Sequence, residues 1–275
     1  MKEMNEKIVK DWKAGESARQ DIIKMISKNK TAMELFEYME KDDEIQALLE
    51  QANTVAISRL GYNDHGLTHS RITTLNALKI LNILNGKGIR PNIVTEHIGT
   101  YDDAQVVVLA GTYMHDLGNS IHRDNHYTFS AILINNILKP LLTEYYSTKK
   151  AAKIRSFILE CVYTHDEQVK CISIESGCAK VGDGTDMAKG RARIPFSRGK
   201  MDMHAVSALS INDVVISEGE KKPVCITVNM SCSAGIFQIE QVLGMKVETS
   251  SIKQYVEIVG KVNGEPRELV KTVTF

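Results

Sequence analysis

Apolar residues recur at helical spacing through the first half of the chain, and this periodicity restricts the fold more than any other feature. One stripe contains Ile72, Leu75 and Leu78 and ends before Pro91. Further apolar segments follow at residues 104–114, 129–141 and 152–163. Residues 1 to about 165 are therefore predicted to form a helical bundle, with a kink or break at Pro140.

The pattern changes after about residue 180. Residues 181–200 are rich in glycine and basic side chains, which predicts a loop or broken helix. Residues 224–230 and 254–262 alternate as strands do, and 235–246 suit a helix between them. We therefore predict a mostly α protein in three parts: an N-terminal helical segment at 1–50, a helical domain at 51–204 and a small α+β domain at 205–275.

Charge and cysteine content disfavour several classes of partner and location. The 34 basic side chains equal the 34 acidic ones, so no net charge favours nucleic acid or an anionic membrane. The five cysteines form no CxxC pair, which fits reduced thiols. The charged N-terminus resembles no signal peptide, and residues 104–114 are too short to cross a bilayer. These features predict a cytoplasmic protein that has no membrane partner.

Histidine and aspartate residues cluster near the ends of the predicted helices. The set consists of His65, His69, His115, Asp116, His122, His126, His165 and Asp183. The His115–Asp116 dipeptide alone is better explained by a buried histidine hydrogen-bonded to aspartate. The ends of four or five consecutive helices can, however, converge at one end of a bundle. Imidazole and carboxylate together suit Zn, Fe, Mn or Co, so the whole set predicts a metal site.

The order of these residues resembles the H…HD…D signature of the HD superfamily of metal-dependent phosphohydrolases. The motifs are THS at 68–70, MHDLG at 114–118 and a later aspartate, and the resemblance covers about residues 55–200. It implies an HD-type helical bundle in which one metal ion is held by His69, His115, Asp116 and Asp183. His122, His126 and His165 resemble the additional histidines of dinuclear members, with Asp116 bridging two ions. The choice between His122 and His126 stays open, as does the metal: one or two ions of Mn, Fe, Zn, Co, Ni or Mg.

Two further roles follow from relatives within this superfamily. In cyclic-nucleotide phosphodiesterases, a histidine four residues before the first ligand donates a proton to the leaving group. His65 has that position, and a local helix cap is the alternative. The basic residues Lys189, Arg191 and Arg193 loosely resemble the segment after the last metal aspartate of ribonuclease Y, which predicts phosphate binding. A solvated loop is the alternative there, and Asp186 is a weaker candidate for a ligand or a supporting acid.

These features predict a phosphohydrolase or phosphodiesterase in which a metal-bound hydroxide attacks a phosphate ester, with His65 and Asp116 as catalytic residues. The substrate would be a nucleotide or a cyclic dinucleotide. A non-catalytic sensor of metal or nucleotide is one alternative, and the full ligand set disfavours it. An RNA-directed HD nuclease is another, and the zero net charge and missing KH-type GxxG segment disfavour it. A homodimer stays open as an assembly.

Overall fold

The computed structural model describes residues 2–188, 203–262 and 271–272. Its first part is helical, as predicted. The helices are α1 (Lys2–Ile26), α2 (Lys30–Lys41), α3 (Asp43–Asn53), α4 (Leu67–Gly86), α5 (Asn92–Thr95), α6 (Tyr101–Met114), α7 (His126–Tyr145), α8 (Thr148–Thr164) and α9 (Ile174–Gly184). A π-helical turn, Thr54–Arg59, extends α3, and a 3-10 turn, Leu117–Ser120, follows α6.

Helix α6 is the centre of the bundle. Every residue from Asp103 to Met114 is buried, as expected for a helix that is apolar on all sides. Its N-terminus is closed by a capping box between Thr100 and Asp103. Helices α2, α4, α8 and α9 pack around it. The His115–Asp116 pair that follows α6 therefore lies inside the protein.

Two local predictions were wrong in part. The chain does not break at Pro140, because α7 continues through it to Tyr145. The alternative of a kink there stays a prediction. Pro140 and Asn136, whose carbonyl loses its hydrogen bond, are both exposed, so water can take the place of the missing donor. Residues 181–184, predicted as loop or broken helix, form the last turn of α9. Residues 185–188 form a turn and loop, as predicted, and residues 189–200 of that segment lie outside the described residues.

The glycine that suggested a loop in this segment has a packing role instead. A Cβ atom at Gly182 would lie 2.7 Å from the Cβ of Ala77 on α4, which is closer than real side chains approach. Glycine thus lets α9 approach the backbone of α4. The close approach brings Asp183, the next residue, toward the start of α4.

The C-terminal part combines helices with a small sheet. Its elements are α10 (Met203–Leu209), β1 (Ile211–Glu218), β2 (Val224–Met230), the helical segment α11 (residues 233–248), β3 (Val256–Val262) and β4 (Lys271–Thr272). The sheet order is β1-β2-β3-β4, with β2 and β3 parallel and the outer pairs antiparallel. The predicted strands β2 and β3 and the helix between them are confirmed. Strand β1 was missed, because only Ile211 in it is fully buried and its alternation is weak.

The C-terminal part packs directly on the helical bundle. Strands β1 and β2 contact α4, and α11 contacts α9. Buried residues from all three predicted parts, such as Ile22, Val107 and Ile226, belong to one hydrophobic cluster. The three-part division of the chain stays a prediction. Within the described residues, no helix has both the length and the apolar character that a bilayer span requires.

Candidate metal centre

Six buried side chains from the ends of five helices come together at one end of the bundle. One belongs to the first turn of α4, and one to the last turn of α9. The others directly follow α6 and α8 or begin α7. The residues are His69, His115, Asp116, His126, His165 and Asp183. The convergence predicted from the sequence is therefore present, and the buried groups could hold a metal ion.

Four of these side chains form a first group of facing ligand atoms. The Nε2 atoms of His69 and His115 are 3.2 Å apart. Oδ2 of Asp116 lies 3.4 Å from each of these nitrogens. Oδ1 of Asp183 lies 3.3 Å from His69 Nε2 and 3.6 Å from His115 Nε2. Tetrahedral ligands with bonds of about 2.0–2.2 Å are separated by roughly 3.3–3.6 Å, so the spacing suits one metal ion.

A second group uses the other oxygen of Asp116. The Nε2 atoms of His126 and His165 are 2.9 Å apart. Oδ1 of Asp116 lies 3.4 Å from His126 Nε2 and 3.6 Å from His165 Nε2. Asn119 also donates a hydrogen bond of 2.7 Å to this oxygen. Asp116 thus contacts both groups, which is the arrangement of a bridging carboxylate.

Hydrogen bonds fix the tautomer of all four histidines in these groups. Each Nδ1 lies beside an acceptor, so Nδ1 carries the proton and the lone pair of Nε2 faces the other ligand atoms. The acceptors are the backbone carbonyls of Thr112, Arg123 and Val162 for His115, His126 and His165, and Oδ2 of Asp186 for His69.

The fixed tautomers explain why the donor set fits a metal. The contact between His126 and His165 brings two Nε2 lone pairs together. Neutral rings in this tautomer have no proton to share across such a contact, and facing lone pairs repel each other. A cation between them removes the repulsion, and imidazole nitrogen with carboxylate oxygen is the ligand chemistry of first-row divalent metals.

The negative charges of the first group also favour the binding of a cation. Burial alone would raise the pKa of the Asp116 carboxyl, but the nearby His115 and His65 hold it well below its usual range. Burial lowers the pKa of His115, yet Asp116 and Asp183 outweigh it and raise that pKa to about 9. Two ionised carboxylates thus keep a proton on His115 when no metal is bound. A metal ion at this position would replace that proton.

The second group holds neutral imidazoles. Burial, together with the neighbouring His165, lowers the pKa of His126 to about 2. Burial also lowers the pKa of His165. Both rings are therefore neutral at neutral pH, which is the form that binds metal, although His126 Nε2 also lies 3.4 Å from Nη1 of Arg123.

The remaining predicted residues have different surroundings. His65 is 8% exposed, and its Nδ1 lies 2.5 Å from Oδ2 of Asp116. The structure does not bring His122 to either group, because its side chain is 64% exposed and its Nδ1 accepts from the backbone of Asp124. Asp186 does not join a group itself, but supports His69. Lys189, Arg191 and Arg193 lie outside the described residues.

Sequence reasoning missed Lys246, which reaches the first group from α11. Its Nζ donates to Oδ2 of Asp183 and, over 2.9 Å, to the backbone carbonyl of His165. A lysine on a helix ordinarily lies in solvent, and 63 residues separate it from Asp183. No local signal in the sequence could have identified this contact.

A cavity of about 240 Å³ gives access to the two groups. His65, Asp116 and Asp183 line it from the centre itself. The bundle contributes Arg123, whose Nη1 donates to Asn119 over 3.1 Å, and α11 contributes Lys246. Cationic side chains from both parts of the protein therefore line the cavity, together with the acidic Asp166 and Glu167.

The fold and the site define a mostly helical protein with a small sheet and a buried His/Asp centre of metal-ligand geometry. The chain is 44% identical over 231 residues to "Uncharacterized protein MJ1020" of Methanocaldococcus jannaschii, covering 84% of this chain and 89% of the relative. The chain belongs to the same protein family as MJ1020. Comparison with models of known protein families finds no match. Comparison with solved structures finds none either. The name of the relative states no activity, so the likeness identifies a family and leaves the function to be argued from the site.

Proposed function

We propose that the protein is an HD-type metal-dependent phosphohydrolase that hydrolyses a phosphate ester of a nucleotide or a cyclic dinucleotide. The observation that carries the proposal is the division of Asp116 between two groups of ligand atoms. Its Oδ2 faces His69 and His115, and its Oδ1 faces His126 and His165. A bridging carboxylate between two such groups is the arrangement that holds two ions close together.

The donor set limits which ions are suitable. Mg²⁺ prefers oxygen ligands, whereas four of the six candidate ligands are imidazoles. Mn, Fe, Co, Ni and Zn all accept mixed nitrogen and oxygen ligands. When bound, two such ions supply an activated water and a clamp for phosphoryl oxygens.

The chain's own residues would do the rest. His65 lines the cavity, and its contact with Asp116 fixes the ring there, so it is suited to protonate the departing oxygen of the ester. Arg123 borders the same cavity and offers N–H groups to phosphoryl oxygens. The proposed contribution of Lys189, Arg191 and Arg193 to phosphate binding concerns residues outside those described.

The size of the cavity limits how much of a substrate can enter it. Pockets for small molecules usually have volumes of roughly 300–1,000 Å³, and this one, at about 240 Å³, is below that range. It suits the phosphoryl group of one ester with the groups next to it. The preference for a nucleotide over a nucleic acid polymer rests on the zero net charge of the chain.

The proposal is tested by metal analysis together with hydrolysis of bis-p-nitrophenyl phosphate in added Mn²⁺. We expect about two ions per chain and turnover of the ester. Asp116→Ala should lose both the ions and the turnover, because both groups lose their shared carboxylate.

His122→Ala is the matched control, since it removes a histidine six residues away that faces solvent. It should keep metal and activity. Bound metal without turnover of this ester or of a nucleotide panel would favour a sensor of metal or nucleotide. A chain that retains no metal would refute the proposal.

A further inference from the structure

We propose that Lys246 binds a phosphoryl oxygen of the substrate, so that the C-terminal part of the chain completes the substrate site. This inference rests on the proposed function. It assigns to the α+β part a direct role in binding an anionic ligand. The evidence lies in how Lys246 reaches the cavity and in how its ammonium group is bonded.

The side chain of Lys246 is held against the end of α9. It is 12% exposed. A Cβ atom at Gly184 would lie 3.1 Å from Cδ of Lys246 and 3.3 Å from Cδ1 of Leu243. The glycine therefore leaves room for the aliphatic stem of the lysine to cross α9. The charged end is thereby directed to the cavity that gives access to the two groups of ligand atoms.

The ammonium group has one donor to spare. A lysine ammonium carries three N–H bonds. Two of them are used, by the carboxylate of Asp183 and the carbonyl of His165. Among the residues that the structure describes, the third has no acceptor, and the group borders the cavity. A phosphoryl oxygen bound next to Asp183 would accept it, and hydrogen bonds from a charged donor to phosphate are strong.

The helix that carries Lys246 is shaped for this approach. Its Ile239–Gly244 segment is π-helical. A π-turn contains one residue more than an α-helical turn, and each added residue rotates the following ones by about 100°. Such turns occur frequently at functional sites. The widened turn comes directly before Met245 and Lys246. It also contributes Gln241 and Val242 to the cavity wall.

The competing explanation is that Lys246 only neutralises Asp183 and fastens α11 to α9. In that case its loss would lower stability without changing the affinity for an anion. The two roles are separable, because anion binding to the metal-loaded protein can be measured apart from melting and apart from turnover.

The experiment is calorimetric titration of inorganic phosphate into the full-length protein, loaded with Mn²⁺ and freed of unbound metal. Lys246→Met should raise the phosphate dissociation constant about ten- to hundredfold, as expected for the loss of one charged hydrogen bond. Its metal content should equal that of the unaltered protein. Lys246→Arg, which keeps the charge, should bind phosphate within a fewfold of the unaltered protein.

Lys253→Met is the matched control. This lysine belongs to the same part of the chain, pairs with Glu248 over 2.7 Å and does not line the cavity. Its removal should leave phosphate binding unchanged. Should Lys246→Met not fold, Lys246→Gln takes its place, with the same expected loss of affinity.

Three results would contradict the inference. Unchanged phosphate affinity in Lys246→Met would overturn it and leave the proposed function intact. Loss of Mn²⁺ from that variant would assign Lys246 to the support of Asp183 instead. No binding of phosphate by the unaltered, Mn²⁺-loaded protein would count against the proposed function itself.

Discussion

Among single residues, the histidines show both how far a sequence pattern reaches and where it stops. The ordered motifs were sufficient to identify His69, His115, Asp116 and Asp183 as one set. They could not decide between His122 and His126, because a spacing of four places two residues together only if both are helical. Asn125 adopts a left-handed conformation, with φ of 60°, and α7 begins only at His126. His122 therefore lies in the preceding turn and faces solvent.

For His65, a role in catalysis can be separated from a role in metal binding by measuring turnover. We expect His65→Ala to keep its metal and to lose about 10²–10⁴-fold in the rate of ester hydrolysis, because a proton donor is removed while both groups of ligand atoms remain. Metal analysis and kinetics on the same preparation measure both quantities. His65 also lies close enough to His69 and Asp116 to share a metal with them. Loss of metal along with activity would therefore identify it as a ligand, and normal turnover would exclude it as the acid.

At the level of helices and strands, periodicity predicted the elements whose burial is strongly one-sided. Strand β2 alternates between buried and half-buried residues along its whole length and was predicted with its observed bounds. The end of α9 was not predicted, because glycine favours a loop when only the local chain is considered. The glycine at position 182 is explained instead by the close backbone of α4, which lies more than a hundred residues earlier in the chain. Local propensity carries no information about such a neighbour.

Gly182→Ala tests this contact between α4 and α9. The added methyl group would overlap Ala77, so we expect the free energy of unfolding to fall by about 1–3 kcal/mol. Urea unfolding of the metal-free protein measures it. Gly86→Ala is the control: it has nothing within 4 Å of the added Cβ and should be neutral or stabilising by about 0.4–1 kcal/mol. Equal stabilities of the two variants would show that the helices do not approach this closely.

For the whole molecule, one hydrophobic cluster joins the N-terminal helices, the central bundle and the sheet. Composition alone suggested separate parts, because the change of texture near residue 180 resembles a domain boundary. A boundary of that kind normally has few contacts across it. Here β1 and β2 pack on α4, and α11 packs on α9. Contacts between distant segments are a property of the fold that no local window of sequence contains.

We therefore expect the metal-free protein to unfold in a single thermal transition. Since the parts share a core, neither should remain folded when the other melts. Differential scanning calorimetry checks this through the agreement of calorimetric and van't Hoff enthalpies. Two resolved transitions, or a calorimetric enthalpy well above the van't Hoff value, would instead support independent domains at the predicted boundaries.

The residues of the candidate metal centre are widely separated along the chain, and this affects when the centre can form during biosynthesis. His69 and Asp186, which orients its ring, are 117 residues apart. Asp183 pairs with Lys246, which lies on α11. During translation, the early histidines leave the ribosome long before the carboxylate of α9 is made. A nascent chain that has not reached α9 thus cannot assemble the first group of ligand atoms, and a complete site arises only after long-range folding. An ion could therefore enter the complete first group only after α9 and α11 have been made, and not when the first histidines emerge.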